Sequence, residues 1–165
     1  MVDPLKILIV DDDPEARELL KFIFQEEEGI HVAGMAGNVD DAVELLKKER
    51  PDLVFLDIQM PDKDGFHFIE IVNNTGYNPG IVFVTAFENY AIQAIRNSVF
   101  DYILKPIHKD ELLRAIERFR TSAGQNQKQD LSQLIEALKA SSPGKVKLNS
   151  RSGYILINPQ EVVYC

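Results

Sequence analysis

The chain has 165 residues, 45% hydrophobic and 27% charged, with a formal net charge of -8 and one cysteine, Cys165. That composition describes an ordinary globular domain with some extra length, and it excludes an internal disulfide framework or a multi-cysteine metal site. The acidic balance disfavours phosphate-backbone contacts, because nucleic-acid affinity comes largely from Lys and Arg displacing counterions.

Predicted elements follow in regular alternation. KILIV (6–10), HVAGMA (31–36), DLVFLD (52–57), GIVFVTA (80–86) and FDYIL (100–104) read as strands. Between and after them, residues 14–27, 39–49, 65–74, 88–97 and 108–120 read as amphipathic helices. Five strand-helix units in a row predict a doubly wound α/β domain, a five-stranded parallel sheet with helices on both faces, because parallel strands need crossovers that bury both faces. Asp13 is placed to cap the first helix with Pro14 at its first position, and Asn38 to cap the second with Asp41 in its first turn. Leu112, Leu113, Ile116 and Phe119 form the core-facing stripe of the fifth helix.

The character changes after Arg120. TSAGQNQKQD reads as a linker, LSQLIEALKA (131–140) as a short helix, and SSPG (141–144) as its breaker. KVKLNS and GYILINP around Arg151, Ser152 and Gly153 predict a β-hairpin, and EVVYC resembles a further strand. No apolar run approaches the roughly 20 residues of a membrane helix, and LKILIV is closed by aspartates where a signal peptide needs small residues. A cytoplasmic protein without membrane contact is expected.

In an open parallel sheet, ligands bind beyond the carboxyl ends of the strands. Strand one delivers Asp11, Asp12 and Asp13 to that edge, strand three Asp57, strand four Thr85, and strand five Lys105 followed by Pro106. With the common order 2-1-3-4-5 these ends lie side by side. Clustered carboxylates repel unless a cation sits among them, and Mg²⁺ suits an all-oxygen set while leaving room for phosphate. One carboxylate can then act as nucleophile on a phosphoryl group, with Lys105 and Thr85 contacting the phosphoryl oxygens. Each residue also has a plainer explanation. Asp11 to Asp13 could form a solvated cap, Asp57, Asp62 and Asp64 could be loop acids, Thr85 could end a strand, and Lys105 could be a surface lysine. The coincidence of complementary groups at four strand ends favours one phosphoryl site. His31, His67, His108 and Cys165 are read as structural or surface groups, since none has a second ligand at metal spacing.

LKILIVDDD, LVFLDIQMPDKDG, VFVTA and DYILKP, in this order and at these distances, resemble the receiver domain of two-component response regulators over about residues 5 to 120. The resemblance implies a flavodoxin-like fold with Asp57 as phosphoacceptor and a sensor histidine kinase as partner. It makes Asp11 and Asp12 the acidic pair of a Mg²⁺ site completed by Asp57 and the Gln59 backbone carbonyl, with Asp11 acting through water. It also implies a switch hydroxyl at Thr85, a switch aromatic at Tyr102, a phosphate-binding Lys105, and a cis bond between Lys105 and Pro106.

The C-terminal pattern is similar to regulators with a LytTR-type (LytR/AlgR) DNA-binding output domain. On that resemblance residues 1–120 are a receiver, 121–144 a partly helical linker, and 145–165 the opening strands of a truncated output domain. DNA contact is then expected only through the missing part, and a homodimer is expected on phosphorylation. Accordingly the protein is expected to be a switch rather than a turnover enzyme. Two other functions remain open: a Mg²⁺-dependent phosphohydrolase of the haloacid dehalogenase type, with Asp11 attacking and Asp13 as acid-base partner, and a receiver-like interaction module that is never phosphorylated.

Overall fold

The computed structural model describes residues 2–122, 146–150 and 153–157. The expected helix over 131–140 and the strand-like EVVYC lie outside the described residues. In chain order the elements are β1 (Leu5–Val10), α1 (Pro14–Gln25), β2 (Ile30–Ala36), α2 (Val39–Glu49), β3 (Leu53–Leu56) and α3 (Gly65–Asn73). They continue with β4 (Gly80–Thr85), α4 (Ala91–Arg96), β5 (Asp101–Leu104), α5 (Lys109–Ser122), β6 (Val146–Ser150) and β7 (Gly153–Ile157).

The first five strands form one parallel sheet in the order β2-β1-β3-β4-β5. Strands β6 and β7 form an antiparallel pair with Ser150 opposite Gly153. Because successive side chains of a strand point to opposite faces, each strand of the parallel sheet feeds two cores. Leu8, Val10, Val54, Leu56 and Phe83 pack with α2, α3 and α4. On the other face, Ile7, Ile9, Phe55, Val82 and Val84 pack with α1 and α5. Fully burying an apolar side chain of this size contributes roughly 1.5–3 kcal/mol, so the near-continuous apolar strands are what hold the sheet between its helices.

Helix ends follow the sequence signals. The Asp13 carboxylate accepts from Glu15 N–H, with Pro14 in the first turn, and Asn38 accepts from Asp41 N–H at 2.8 Å. Helix α4 is shorter than the periodicity of 88–97 suggests. Tyr90 makes no side-chain cap bond, and at the other end Ser98 takes a left-handed φ of 56°, which stops the helix and turns the chain toward β5. Helix α5 instead runs past Arg120 to Ser122, with the hydroxyls of Thr121 and Ser122 donating to carbonyls of its last turn. Its Leu112 and Ile116 are buried, and Leu113 and Phe119 pack beside them. An ion pair anchors this helix as well: the partly exposed Arg118 pairs with the buried Asp101 at the start of β5.

The loop after β3 is pinned at Gly65. Its N–H donates to the Ile58 carbonyl at 2.7 Å, and a Cβ there would meet the Asp57 carbonyl at 2.7 Å and the Phe83 ring at 3.0 Å. A Gly65→Ala substitution is therefore expected to lower stability by about 1–3 kcal/mol. Urea denaturation measures this, and an unchanged midpoint would show that the loop adjusts without resistance.

Candidate functional site

Strand order decides which residues meet. The chain steps outward from β1 to β2, then returns and proceeds through β3 to β5, so the direction of progression reverses beside β1. Val10 and Leu56 are register partners, as are Thr85 and Leu104. Asp57 N–H donates to the Val10 carbonyl at 2.8 Å, and Lys105 N–H to the Thr85 carbonyl at 2.8 Å. Residues far apart in sequence thus leave the sheet at one edge.

There the Lys105 ammonium donates to Asp11 Oδ2 at 2.8 Å and to Asp57 Oδ2 at 3.4 Å. Asp11 is 1% exposed and Asp57 7%. Asp12, which is exposed, joins them: Asp11, Asp12 and Asp57 each place an oxygen within 4.8 Å of the others. Asp57 Oδ1 is buried without a hydrogen-bond partner. By contrast both Asp11 oxygens are engaged, since Oδ1 accepts from Asp13 N–H at 2.9 Å while Oδ2 holds Lys105.

Electrostatics follow from this geometry. Burial, and next the Asp11 charge, push the Asp57 pKa above the ordinary carboxylate range, and Lys105, with a weaker contribution from the Ile58 backbone N–H, only partly offsets them. Burial opposes the charged form of Lys105, yet its bond with Asp11 and the charges of Asp57 and Asp11 prevail, and its pKa is raised. The pocket therefore holds more negative charge than Lys105 neutralises. Three carboxylates with only oxygen donors, one of them a buried atom with no partner, fit a hard divalent cation that keeps open positions.

Thr85 is fully buried at the end of β4, where its Oγ1 accepts from Phe87 N–H at 3.4 Å. Tyr102, 5% exposed, donates its hydroxyl to the Phe87 carbonyl, and burial raises its pKa. Gln59 is exposed on the loop after Asp57, and its amide donates to the Tyr90 hydroxyl at 3.0 Å. The Lys105–Pro106 bond is cis. Asp13 stays out of the carboxylate group and caps α1. His31 and His108 are exposed, neither belongs to the carboxylate group, and His67 lies beside Glu70 on α3.

Some contributors were not singled out from sequence. Arg17 donates to the Asp11 carbonyl at 2.6 Å, holding the turn after β1. Asp64, read as a loop acid, is the N-cap of α3 and accepts from His67 N–H at 2.9 Å. An Asp before a Gly at the start of an apolar periodic run was the signal for it. Phe87 and Tyr90 had no such signal, because their contacts are made across the sheet edge.

A sequence profile described as the response regulator receiver domain matches residues 7–117. The chain belongs to that family. It is 34% identical over 164 residues to the sensory transduction protein LytT of Bacillus anthracis, covering 97% of this chain and 65% of that one. To the transcriptional regulatory protein BtsR of Escherichia coli K12 it is 41% identical over 136 residues, covering 82% and 55%. The chain thus spans between about half and two thirds of the length of these relatives. Among solved structures, the response regulatory domain of mrkE from Klebsiella pneumoniae superposes with a TM-score of 0.66 at 28% identity, covering 73% of this chain and 99% of that one. The CheX-CheY-BeF3-Mg²⁺ complex of Borrelia burgdorferi gives 0.65 at 26% identity, covering 70% and 89%. Among the described residues no helix is long and apolar enough to cross a membrane.

The raised Asp57 pKa has a consequence for stability. The folded state holds the Asp57 proton more tightly than the unfolded chain, whose reference value is 3.8. The stability this contributes is therefore fully present below that value and is lost as pH rises through the folded pKa. At neutral pH without divalent cations, Asp57→Asn is expected to melt at a higher temperature than the wild type, and the difference should shrink as pH falls through the raised folded-state pKa and vanish below the reference value of 3.8. Thermal melts at several pH values measure it, and a lower melting temperature for the variant at pH 7 would count against a strained carboxylate.

Proposed function

We propose that this chain is a phosphorylation switch in which Asp57 accepts a phosphoryl group from a histidine kinase. The observation that carries this reading is the pairing at Asp57: one buried oxygen has no partner, and the other faces the Lys105 ammonium. An Asp57 carboxylate oxygen attacks phosphorus, the P–O bond forms as the P–N bond of phosphohistidine breaks, and the electron pair leaves with the imidazole. Lys105 binds a phosphoryl oxygen, and the Thr85 hydroxyl donates to another, giving up the Phe87 N–H it now accepts. Mg²⁺ held by Asp11, Asp12, Asp57 and the Gln59 backbone carbonyl would supply positive charge against the acidic cluster and the incoming phosphate. The three close carboxylates support that ion, as does the Mg²⁺ named for the Borrelia relative.

Drawing Thr85 to the phosphoryl group releases the Phe87 N–H, while Tyr102, already buried with its hydroxyl on the Phe87 carbonyl, keeps hold of that residue and shifts with it. This is a population shift biased by a local charge. The chain acts as a switch that returns to its resting state by losing the phosphoryl group, rather than as an enzyme with catalytic turnover. Identity to LytT runs over 164 residues and so extends beyond the receiver match, which supports a LytTR-type output module following the linker. In a longer cytoplasmic protein, phosphorylation would control homodimerisation and, through that module, DNA binding.

The phosphohydrolase alternative requires Asp11 to attack, but both Asp11 oxygens are engaged. A receiver-like module without phosphorylation would leave the buried, unpartnered Asp57 oxygen and the shared lysine without a use. Incubation with Mg²⁺ and acetyl phosphate is expected to place one acyl phosphate on the wild-type chain and none on Asp57→Asn. Lys105→Ala should slow uptake roughly 10- to 100-fold, the loss of a charge-assisted hydrogen bond. Intact mass and acid-urea gels read the product, and equal labelling of Asp57→Asn would sink the proposal.

A further inference from the structure

Two loops frame the mouth of the acidic pocket: residues 57–64 after β3 and residues 86–90 after β4. Gln59 of the first donates its amide to the Tyr90 hydroxyl of the second at 3.0 Å. The two partners differ in how firmly they are held. The Tyr90 ring lies 6.0 Å from the Phe66 ring and 6.2 Å from that of Phe87, and Phe66 packs edge-on against the buried Phe83 at 5.1 Å. The Phe87 backbone is held separately by the Tyr102 hydroxyl, a bond that the phosphoryl group does not compete for. Tyr90 is therefore a packed post, whereas Gln59 is a long exposed side chain only two residues from Asp57.

We infer that Tyr90 is a positioning residue that prolongs the phosphorylated state: its hydroxyl holds the Gln59 amide to the side of the pocket, away from a water approaching the Asp57 phosphoryl group. This rests on the reading of Asp57 as phosphoacceptor. In hydrolysis the water oxygen attacks phosphorus on the side opposite Asp57, and the bond from phosphorus to the Asp57 oxygen breaks. The electron pair returns to the carboxylate, and the water proton passes to solvent with inorganic phosphate. A side-chain amide beside a phosphoryl group can orient such a water through its N–H and C=O. While bonded to Tyr90, the Gln59 amide must first give up that partner, so the attack is slowed by the weight of one neutral hydrogen bond.

Tyr90→Phe removes the hydroxyl and keeps the ring with its contacts to Phe66 and Phe87. The full 165-residue chain is phosphorylated with acetyl phosphate and Mg²⁺, desalted, and its acyl phosphate followed over time. Tyr90→Phe is expected to shorten the half-life roughly two- to tenfold. Gln59→Ala should leave the half-life at or above the wild-type value, and adding Tyr90→Phe to it should change nothing further. A half-life unchanged or lengthened in Tyr90→Phe overturns the inference, as does the same shortening in the Gln59→Ala background. A wild-type chain that takes up no phosphoryl group overturns the reading of Asp57 and this inference with it. Normal uptake with unchanged decay overturns the inference alone.

Discussion

The structure turns on how Asp11 and Asp57 share the Lys105 ammonium. Two carboxylates lie almost fully buried beside one another, which is unfavourable in a medium that solvates charge poorly. Lys105 lies at 2.8 Å from one and 3.4 Å from the other, and the raised Asp57 pKa shows that the compensation is incomplete. The imbalance is local and specific. Asp11 has its hydrogen bonds, while Asp57 retains a buried oxygen without one. The residual charge therefore resides on the carboxylate that is best placed to react.

That arrangement depends on topology before it depends on side chains. Because β1 lies between β2 and β3, the turns after β1 and β3 emerge side by side, and β4 and β5 continue the same row. Parallel register then sets each polar residue next to its neighbour by main-chain bonds: Asp57 onto Val10, Lys105 onto Thr85. The two apolar cores keep the sheet rigid, so the carboxyl edge can carry an electrostatically costly cluster. The Gly65 contact with the Asp57 carbonyl is part of the same support, closing the loop that follows Asp57.

Segment 86–90 is the feature able to convert local charge into a change of surface. Its fixed points are Thr85, Tyr102 and Gln59, all at or near the pocket. Hydrogen bonds that stand among these groups without phosphate compete with those the phosphoryl group would take. A change at Asp57 is thereby felt at Phe87 without any long pathway.

Much of this was legible in the residues themselves. Alternating β-branched runs and amphipathic stretches are local patterns, so they specify strands, helices, the caps at Asp13 and Asn38, and a parallel sheet. Polar residues at four strand ends indicated where chemistry gathers, and the motif spacing carried the family resemblance. What the sequence could not separate were residues of equal local character: Asp11 and Asp12 are neighbours, yet one is buried on Lys105 and the other is exposed at the pocket mouth. Nor did it bring Gln59 to Tyr90 or Arg118 to Asp101. Those contacts join side chains across strands and loops, where burial and distance are set by the packed sheet and leave no periodic trace along the chain.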